Sequence, residues 1–366
     1  MTQGGTPTSG ASGLEGIVVA ETQLSDVDGE RGRLVIAGSD VESLAGAVSF
    51  EEICARLWSP FARCDAGGIQ RALGEARAQA FEQIATLDHA LGARDGMDAL
   101  RTATSYVEPV EDPLATNARI TGAVGVSAAA WSRRALGLAP IRPDSALPHS
   151  ADLHRLFTGQ SDAARTAGLE AYLVTVSDHG MNASTFAARV IASTASDPVS
   201  AIVGAIGALK GPLHGGAPGP VLDMLEAIGR PENTVDWLES ELRAGRRIMG
   251  MGHRIYRVRD PRAAVLERAL ERLERSGFRT PRLALARAVE RAAEDVLRKR
   301  HPDRPLRANV EFYTAVLLDA LGIDRAAFTL AFACGRVAGW LAHVMEQRAV
   351  GRLIRPQSRY TGPLPG

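Results

Sequence analysis

From Ser49 onward the chain reads as one helix-period apolar pattern after another, punctuated by Gly and Pro. In 312–321 (FYTAVLLDAL), Phe312, Tyr313, Val316, Leu317 and Leu321 recur at helical spacing until Gly322 ends the run. Ala, Leu and Arg supply the helix propensity. Strand-like alternation is confined to the N-terminal region, where 16–19 (GIVV) and 33–37 (RLVIA) flank an acidic turn with Asp28 and Gly29. The pattern predicts an all-α protein with a short β entry, and the absence of any 20–50 residue period excludes a solenoid.

The segment 326–346 (AAFTLAFACGRVAGWLAHVME) has the length and apolarity of a membrane span and places Gly335 and Gly339 four apart. Arg336 at its centre argues for a buried core helix instead, because a central Arg costs about 2.5–3.5 kcal/mol on insertion scales. An Arg buried there needs an anionic partner.

Equal numbers of basic and acidic residues, 42 each, exclude a polyanion-coating or polybasic membrane-surface protein. All the basic residues but Lys210 and Lys299 are arginine, a bias attributed to base composition. Three cysteines, Cys54, Cys64 and Cys334, make no disulfide framework and no CxxC pair, which suits a reducing compartment. Residues 1–13 contain neither a basic n-region nor an apolar h-region, so a flexible tail on a cytoplasmic protein is expected.

Three histidines stand in segments rich in Gly or small polar residues: His179 in SDHGMNAST, His214 in GPLHGGAP and His253 in MGMGHRIY. Glycine beside histidine lets a ligand approach the backbone closely. A lone histidine is more often an ordinary core or surface residue, and only the repetition of the setting favours function. Three histidines with water could hold zinc, but no HExxH pair supports a metal site. The run GMGHRIY (250–256) lacks the third glycine of a dinucleotide fingerprint and follows no strand.

Taken together, the blocks SDHGMNASTFAARVIAST (177–194), GALKGPLHGGA (207–217), MGMGHRIYRVRDPRA (249–263), NVEFYTAVLLDALGI (309–323), GRVAGWLAHVMEQ (335–347) and RLIRPQSRYTGP (352–363) resemble, in order, those of the citrate synthase family of acyl-CoA condensing enzymes, 2-methylcitrate synthases included. The resemblance runs from Gly13 to Gly362, opening with GLEGIVVAETQLSDVDGERGRLVIAGSDVESLA (13–45). It implies a two-domain helical fold, with a large domain from 14–211 and 323–366, a small domain from 212–322, and a homodimer.

The chemistry so implied needs a base for a weakly acidic C–H, a donor for the developing enolate oxygen and a polariser for the ketone. By motif position His214 is the enolate donor, His253 polarises the keto acid, His179 helps to bind it, and the base is Glu311. The family has Asp at that last place; the extra methylene moves the carboxylate by roughly 1 Å, and Pro218 after HGGA accompanies the change as a paired variant. A dicarboxylate such as oxaloacetate suits planar guanidinium groups, and Arg262, Arg336 and Arg355 fall at the substrate-binding positions, with Arg355 reaching the neighbouring subunit. Arg257 matches a coenzyme A phosphate contact, with Arg254 and Arg259 beside it. Ser177 and Asp178 read as helix-capping residues, and Trp237 and Trp340 as core. No cofactor is implied beyond coenzyme A as part of the acyl substrate, and no nucleic-acid or membrane partner. Citrate formation from acetyl-CoA, 2-methylcitrate formation from propionyl-CoA, and a non-catalytic oxaloacetate-binding paralogue remain the three expectations.

Overall fold

The structure, a computed structural model, describes residues 14, 16–214, 218–253, 255–302 and 306–363. The expected tail (1–13), Gly215, Gly216 and Arg254 lie outside the described residues. A three-stranded antiparallel sheet, β1 (Ser25–Asp28), β2 (Arg33–Ile36) and β3 (Ser39–Asp40), precedes the helices. The first part of the chain then forms α1 (Val41–Leu44), α2 (Phe50–Trp58), α3 (Ala66–Glu82), α4 (Asp88–Leu91), α5 (Gly96–Thr104), α6 (Pro113–Ala135), α7 (His149–Thr158), α8 (Ala163–Val176), α9 (Ala183–Ala192) and α10 (Pro198–Leu209). The remainder forms α11 (Pro218–Ile228), α12 (Thr234–Arg243), α13 (Pro261–Arg275), α14 (Pro281–Arg300), α15 (Val310–Ala320) and α16 (Phe328–Val350).

Local chemistry sets many of these starts. Asp112, Asp197 and Asp260 each precede a proline, and each carboxylate accepts a backbone N–H of the first turn while the proline occupies a position that needs no N–H. Ser49 and Glu52 form a reciprocal capping box on α2. The N-terminal pairing differs from the sequence expectation. Residues 16–19 are not a strand, and Val18 is exposed; β2 pairs instead with Ser25–Asp28. Asp28 Oδ1 accepts from the N–H groups of Glu30 and Arg31 at 3.1 and 3.0 Å, which closes the turn at once and leaves the nearest upstream residues as the partner strand.

Helix α16 is long and apolar enough to cross a membrane, yet it is buried within the bundle against α2, α5, α6, α8, α9 and α10. The spacing of Gly335 and Gly339 serves contact with α8. A Cβ on Gly335 would lie 3.0 Å from the Leu173 carbonyl oxygen, and one on Gly339 would overlap the Ser177 carbonyl and lie 2.8 Å from Asp178 Oδ1. That approach brings Arg336 alongside the end of α8. Gly339→Ala therefore forces the helices apart and costs about 1–3 kcal/mol; a melting temperature lowered by several degrees would show it, and an unchanged one would refute the packing account. Beyond α10, α11 packs on α15, α12 on α14, and α13 lies against both α15 and α8.

Candidate active site

The first histidine stands where α8 hands over to α9. Ser177 follows the last turn of α8, and Asn182, not Ser177 or Asp178, caps α9 by accepting the Thr185 N–H at 3.1 Å. The expected capping role for Ser177 and Asp178 is thus corrected, because three further residues, His179 to Met181, turn the chain before the Asn182 cap of α9. Asp178 is fully buried: Ser25 Oγ donates to its Oδ2, and His343 Nε2 lies 3.3 Å away. Burial opposes ionisation of its carboxyl, but the neighbouring His343 and Arg336 and the bond from Ser25 outweigh it and hold the carboxyl below the usual range. Asp178 fixes the backbone from which His179 projects, and His179 Nε2 lies 3.1 Å from Tyr256 Oη.

The second histidine sits in a loop anchored at both ends. Asp260 accepts from the Arg262 backbone N–H at 3.0 Å and from its side chain at Nε (3.0 Å) and Nη2 (2.8 Å), and Oδ2 also accepts from Val310 N–H at 3.1 Å. One carboxylate therefore aims Arg262 and ties it to the start of α15. His253 Nδ1 accepts the N–H groups of Ile255 and Tyr256 at 3.0 and 3.2 Å. A neutral His253 then carries its proton on Nε2, 3.4 Å from Arg262 Nη2. Two donors at that separation do not bond each other; they converge on a shared acceptor.

Glu311 lies in the first turn of α15. Asn309 caps that helix, accepting from Glu311 N–H at 3.1 Å, while its Nδ2 donates to the Gly252 carbonyl at 2.9 Å. Gly252 N–H donates to Arg307 O at 2.7 Å and Asn309 N–H to Gly250 O at 2.9 Å, around an antiparallel bridge between Met251 and Ala308. Burial pushes the Glu311 carboxyl up to about 7, with the Arg262 charge opposing and Asp260 adding to the rise. Such a group suits proton abstraction near neutrality.

His214 Nε2 lies 2.7 Å from Ser184 Oγ, which also accepts from Trp340 Nε1 at 3.1 Å and stands 2.8 Å from Asn182 Oδ1. Burial, then the Arg336 charge, lowers the His214 pKa to about 4; burial, then Arg262, does the same for His253. His179 is held well below its ordinary value by burial and by Arg262, Arg336, His253 and His214. All three rings are neutral at pH 7, so each can donate one N–H without carrying charge.

Arg336 is buried, donates from Nε to the Val176 carbonyl at 2.6 Å, and leaves Nη2 without a partner. No carboxylate among the described residues lies within 4.0 Å of it, and burial lowers its pKa to about 10. The anionic partner expected for it is therefore not a side chain in ion-pair contact; the donor is left for something that enters.

The structure brings His179, His253 and Arg262 together, with ring centroids of the two histidines 5.8 Å apart and Tyr256 packed against both. Arg336 and His214 act on the same cluster through their charge and field. Arg257 is exposed, on a cavity of about 540 Å³ whose lining includes Arg259, Arg291 and Arg307. Arg355 is exposed on the segment after α16 and joins no site residue among the described residues. Sequence reasoning missed Tyr256, Asp260, Ser184, Asn309 and the role of Asp178. The Asp-Pro pair and the Asn before the Glu311 helix were readable as caps; Ser184 and Tyr256 carried no signal. Trp340 is core, as read, and its indole N–H also orients Ser184.

The family model for the citrate synthase C-terminal domain matches residues 13–357. A putative citrate synthase 2 of Mycobacterium tuberculosis is 37% identical over 366 residues, covering 98% of this chain and 95% of its own length. A 2-methylcitrate synthase of the same organism is 39% identical over 367 residues, covering 96% and 90%. Among solved structures, citrate synthase from Thermotoga maritima superposes with a TM-score of 0.84 at 35% identity, covering 97% of both chains. Citrate synthase from Thermoplasma acidophilum, solved as a ternary complex with carboxymethyl coenzyme A and oxaloacetate, gives 0.85 at 25% identity, again covering 97% of both. A helical bundle carrying three neutral histidines, an unpaired buried guanidinium and a carboxyl near neutrality, matched across nearly its whole length by these proteins, belongs to the citrate synthase family.

Proposed function

We propose that this enzyme condenses acetyl-CoA with oxaloacetate to give citrate and free coenzyme A. The observation that carries the assignment is the unpartnered Nη2 of buried Arg336, which with Arg262 supplies the fixed cations a dicarboxylate requires. Glu311 takes a proton from the acyl methyl carbon. His214, anchored by its Nε2 at 2.7 Å from Ser184 Oγ, is by motif position the donor to the enolate oxygen. His253 Nε2–H and Arg262 Nη2 converge on the keto acid, with His179 beside them, and the nucleophilic enolate carbon adds to the polarised ketone. Hydrolysis of the resulting thioester releases the thiol.

Arg257 binds a coenzyme A phosphate at the adjoining cavity, where Arg259 and Arg307 are paired with Glu290 and Glu294. The segment 212–322 acts as a small domain that closes on the rest and shields the enolate from water. The protein works as a homodimer in which the C-terminal segment, with exposed Leu353, Arg355 and Tyr360, packs on the partner and delivers Arg355 to its site. The 39% identity to a 2-methylcitrate synthase favours propionyl-CoA as a second acyl substrate, since a methylene is worth only about 1–3 kcal/mol of discrimination.

Thiol release from purified protein with oxaloacetate and either acyl-CoA tests this. Turnover is expected with at least one, falling by about 10²–10³-fold in His214→Ala. A folded protein that binds oxaloacetate but releases no thiol from either acyl-CoA is the non-catalytic paralogue instead.

A further inference from the structure

The β1–β2 hairpin touches both histidine-bearing loops. Along β1, Ser25 Oγ donates to Asp178 Oδ2 and accepts the Gly180 N–H at 3.0 Å, so one hydroxyl grips the residues on either side of His179. Two residues on, Val27 packs against Gly180. At the turn, Gly29 O accepts the Arg257 N–H at 2.9 Å, and the Gly29 Cα faces the Ile255 carbonyl so closely that a Cβ would lie 2.8 Å from its carbon. Ile255 is the residue whose N–H, with that of Tyr256, fixes the His253 proton on Nε2. The hairpin is itself held by Leu24, Leu34 and Ile36, all buried in the core.

We infer that this hairpin is a strap that sets the two histidine loops relative to each other, with Ser25 and Gly29 as positioning residues for His179 and His253. The five residues from Ser25 to Gly29 span the gap between loops about 75 positions apart in sequence. One backbone bond with a close Gly29–Ile255 approach at one end and a hydroxyl at the other leave little freedom in between. The consequence for the chemistry rests on the oxaloacetate assignment: His179 and His253 act on one keto acid, so their separation decides how well both reach it.

The test compares Gly29→Ala, Ser25→Ala, Ser25→Thr, the Gly29→Ala/Ser25→Ala double variant, and Gly207→Ala as a control whose added Cβ would meet nothing closer than 4.0 Å. Three quantities are read: oxaloacetate KM and kcat from thiol release, melting temperature, and the ring-nitrogen NMR signals that report the His253 tautomer. Gly29→Ala must push residues 255–257 away by about 1 Å, and a displacement of that size lowers kcat/KM by about 10–100-fold. The His253 signals should then leave the Nε2–H pattern, with melting shifted no more than a few degrees. Ser25→Ala should raise the oxaloacetate KM several-fold with kcat nearly kept, and Ser25→Thr should recover it. The double variant should lose less than the product of the single losses, because each cuts the same strap.

Gly29→Ala with turnover within twofold of wild type and unchanged His253 signals overturns the inference, as does strict multiplicativity in the double variant. If Gly29→Ala does not fold, Ser25→Ala decides: an unchanged oxaloacetate KM overturns the strap. If the wild type releases no thiol, the condensation assignment fails by itself, and the ring-nitrogen signals still decide the strap.

Discussion

Replacing Glu311 by glutamine lowers kcat by about 10²–10⁴-fold while the oxaloacetate KM stays near wild type, because the amide keeps the shape and loses the base. The carboxyl titrates at about 7 in the free protein, so wild-type kcat/KM falls tenfold per pH unit on the acid side of that value, and this limb vanishes from the residual activity of the variant. Folding favours the protonated form of a carboxyl whose pKa is raised from 4.5 to about 7. Its contribution to stability is complete below 4.5 and is lost as pH rises through 7, so Glu311→Gln melts above wild type at pH 8 and closer to it at pH 5. Glu311→Asp tests whether the extra methylene is accommodated. Asn309 and Asp260 pin the first turn of α15 from both sides, so the backbone cannot advance to compensate for a shorter side chain. A loss of about 10²-fold is expected, measured as thiol release, and a gain would show that this site is misaligned with Glu.

Arg336→Met pulls activity and stability in opposite directions. Losing the guanidinium strands a carboxylate of the keto acid in a buried site, which costs about 2–5 kcal/mol and lowers kcat/KM for oxaloacetate by about 30- to 5,000-fold. The free protein, however, loses a buried charge with no carboxylate in ion-pair contact among the described residues and one donor unsatisfied. Methionine fills similar volume without either burden, so the melting temperature rises. A variant both less active and less stable would mean that Arg336 is a structural residue. Added oxaloacetate should raise the melting temperature of wild type more than that of the variant.

What was legible followed sequence distance. His253, Arg262 and their flanking caps lie within one run of residues, and the Asp-Pro start of α13 announces where Arg262 stands. Helix periodicity exposed α15 and α16, and the Arg within an apolar run marked Arg336 before any partner was known. The hairpin was misplaced because GIVV looks more like a strand than SDVD; the Asp28 turn, not apolar content, selects the pairing. Ser25 and Asp178 meet across 153 residues, and Trp340 and Ser184 across 156, where neither residue type nor spacing gives notice. Such contacts arise from helix packing that glycine spacing permits but does not specify.

In the proposed mechanism, the bridge between Met251 and Ala308, with the Asn309 side chain across it, makes the carbonyl polariser and the proton acceptor parts of one rigid piece. Any rotation that opens the cleft carries His253, Arg262 and Glu311 together, and their mutual geometry is already set in the empty enzyme. Closure then turns about the strapped His179 and His253 loops and has a single coordinate to bring to its endpoint: the separation of that piece from Arg336 and Ser184. A mutation far from the cleft that changes how deeply the two halves meet would slow addition of the enolate to the ketone, yet leave exchange of the acyl methyl protons with solvent almost untouched.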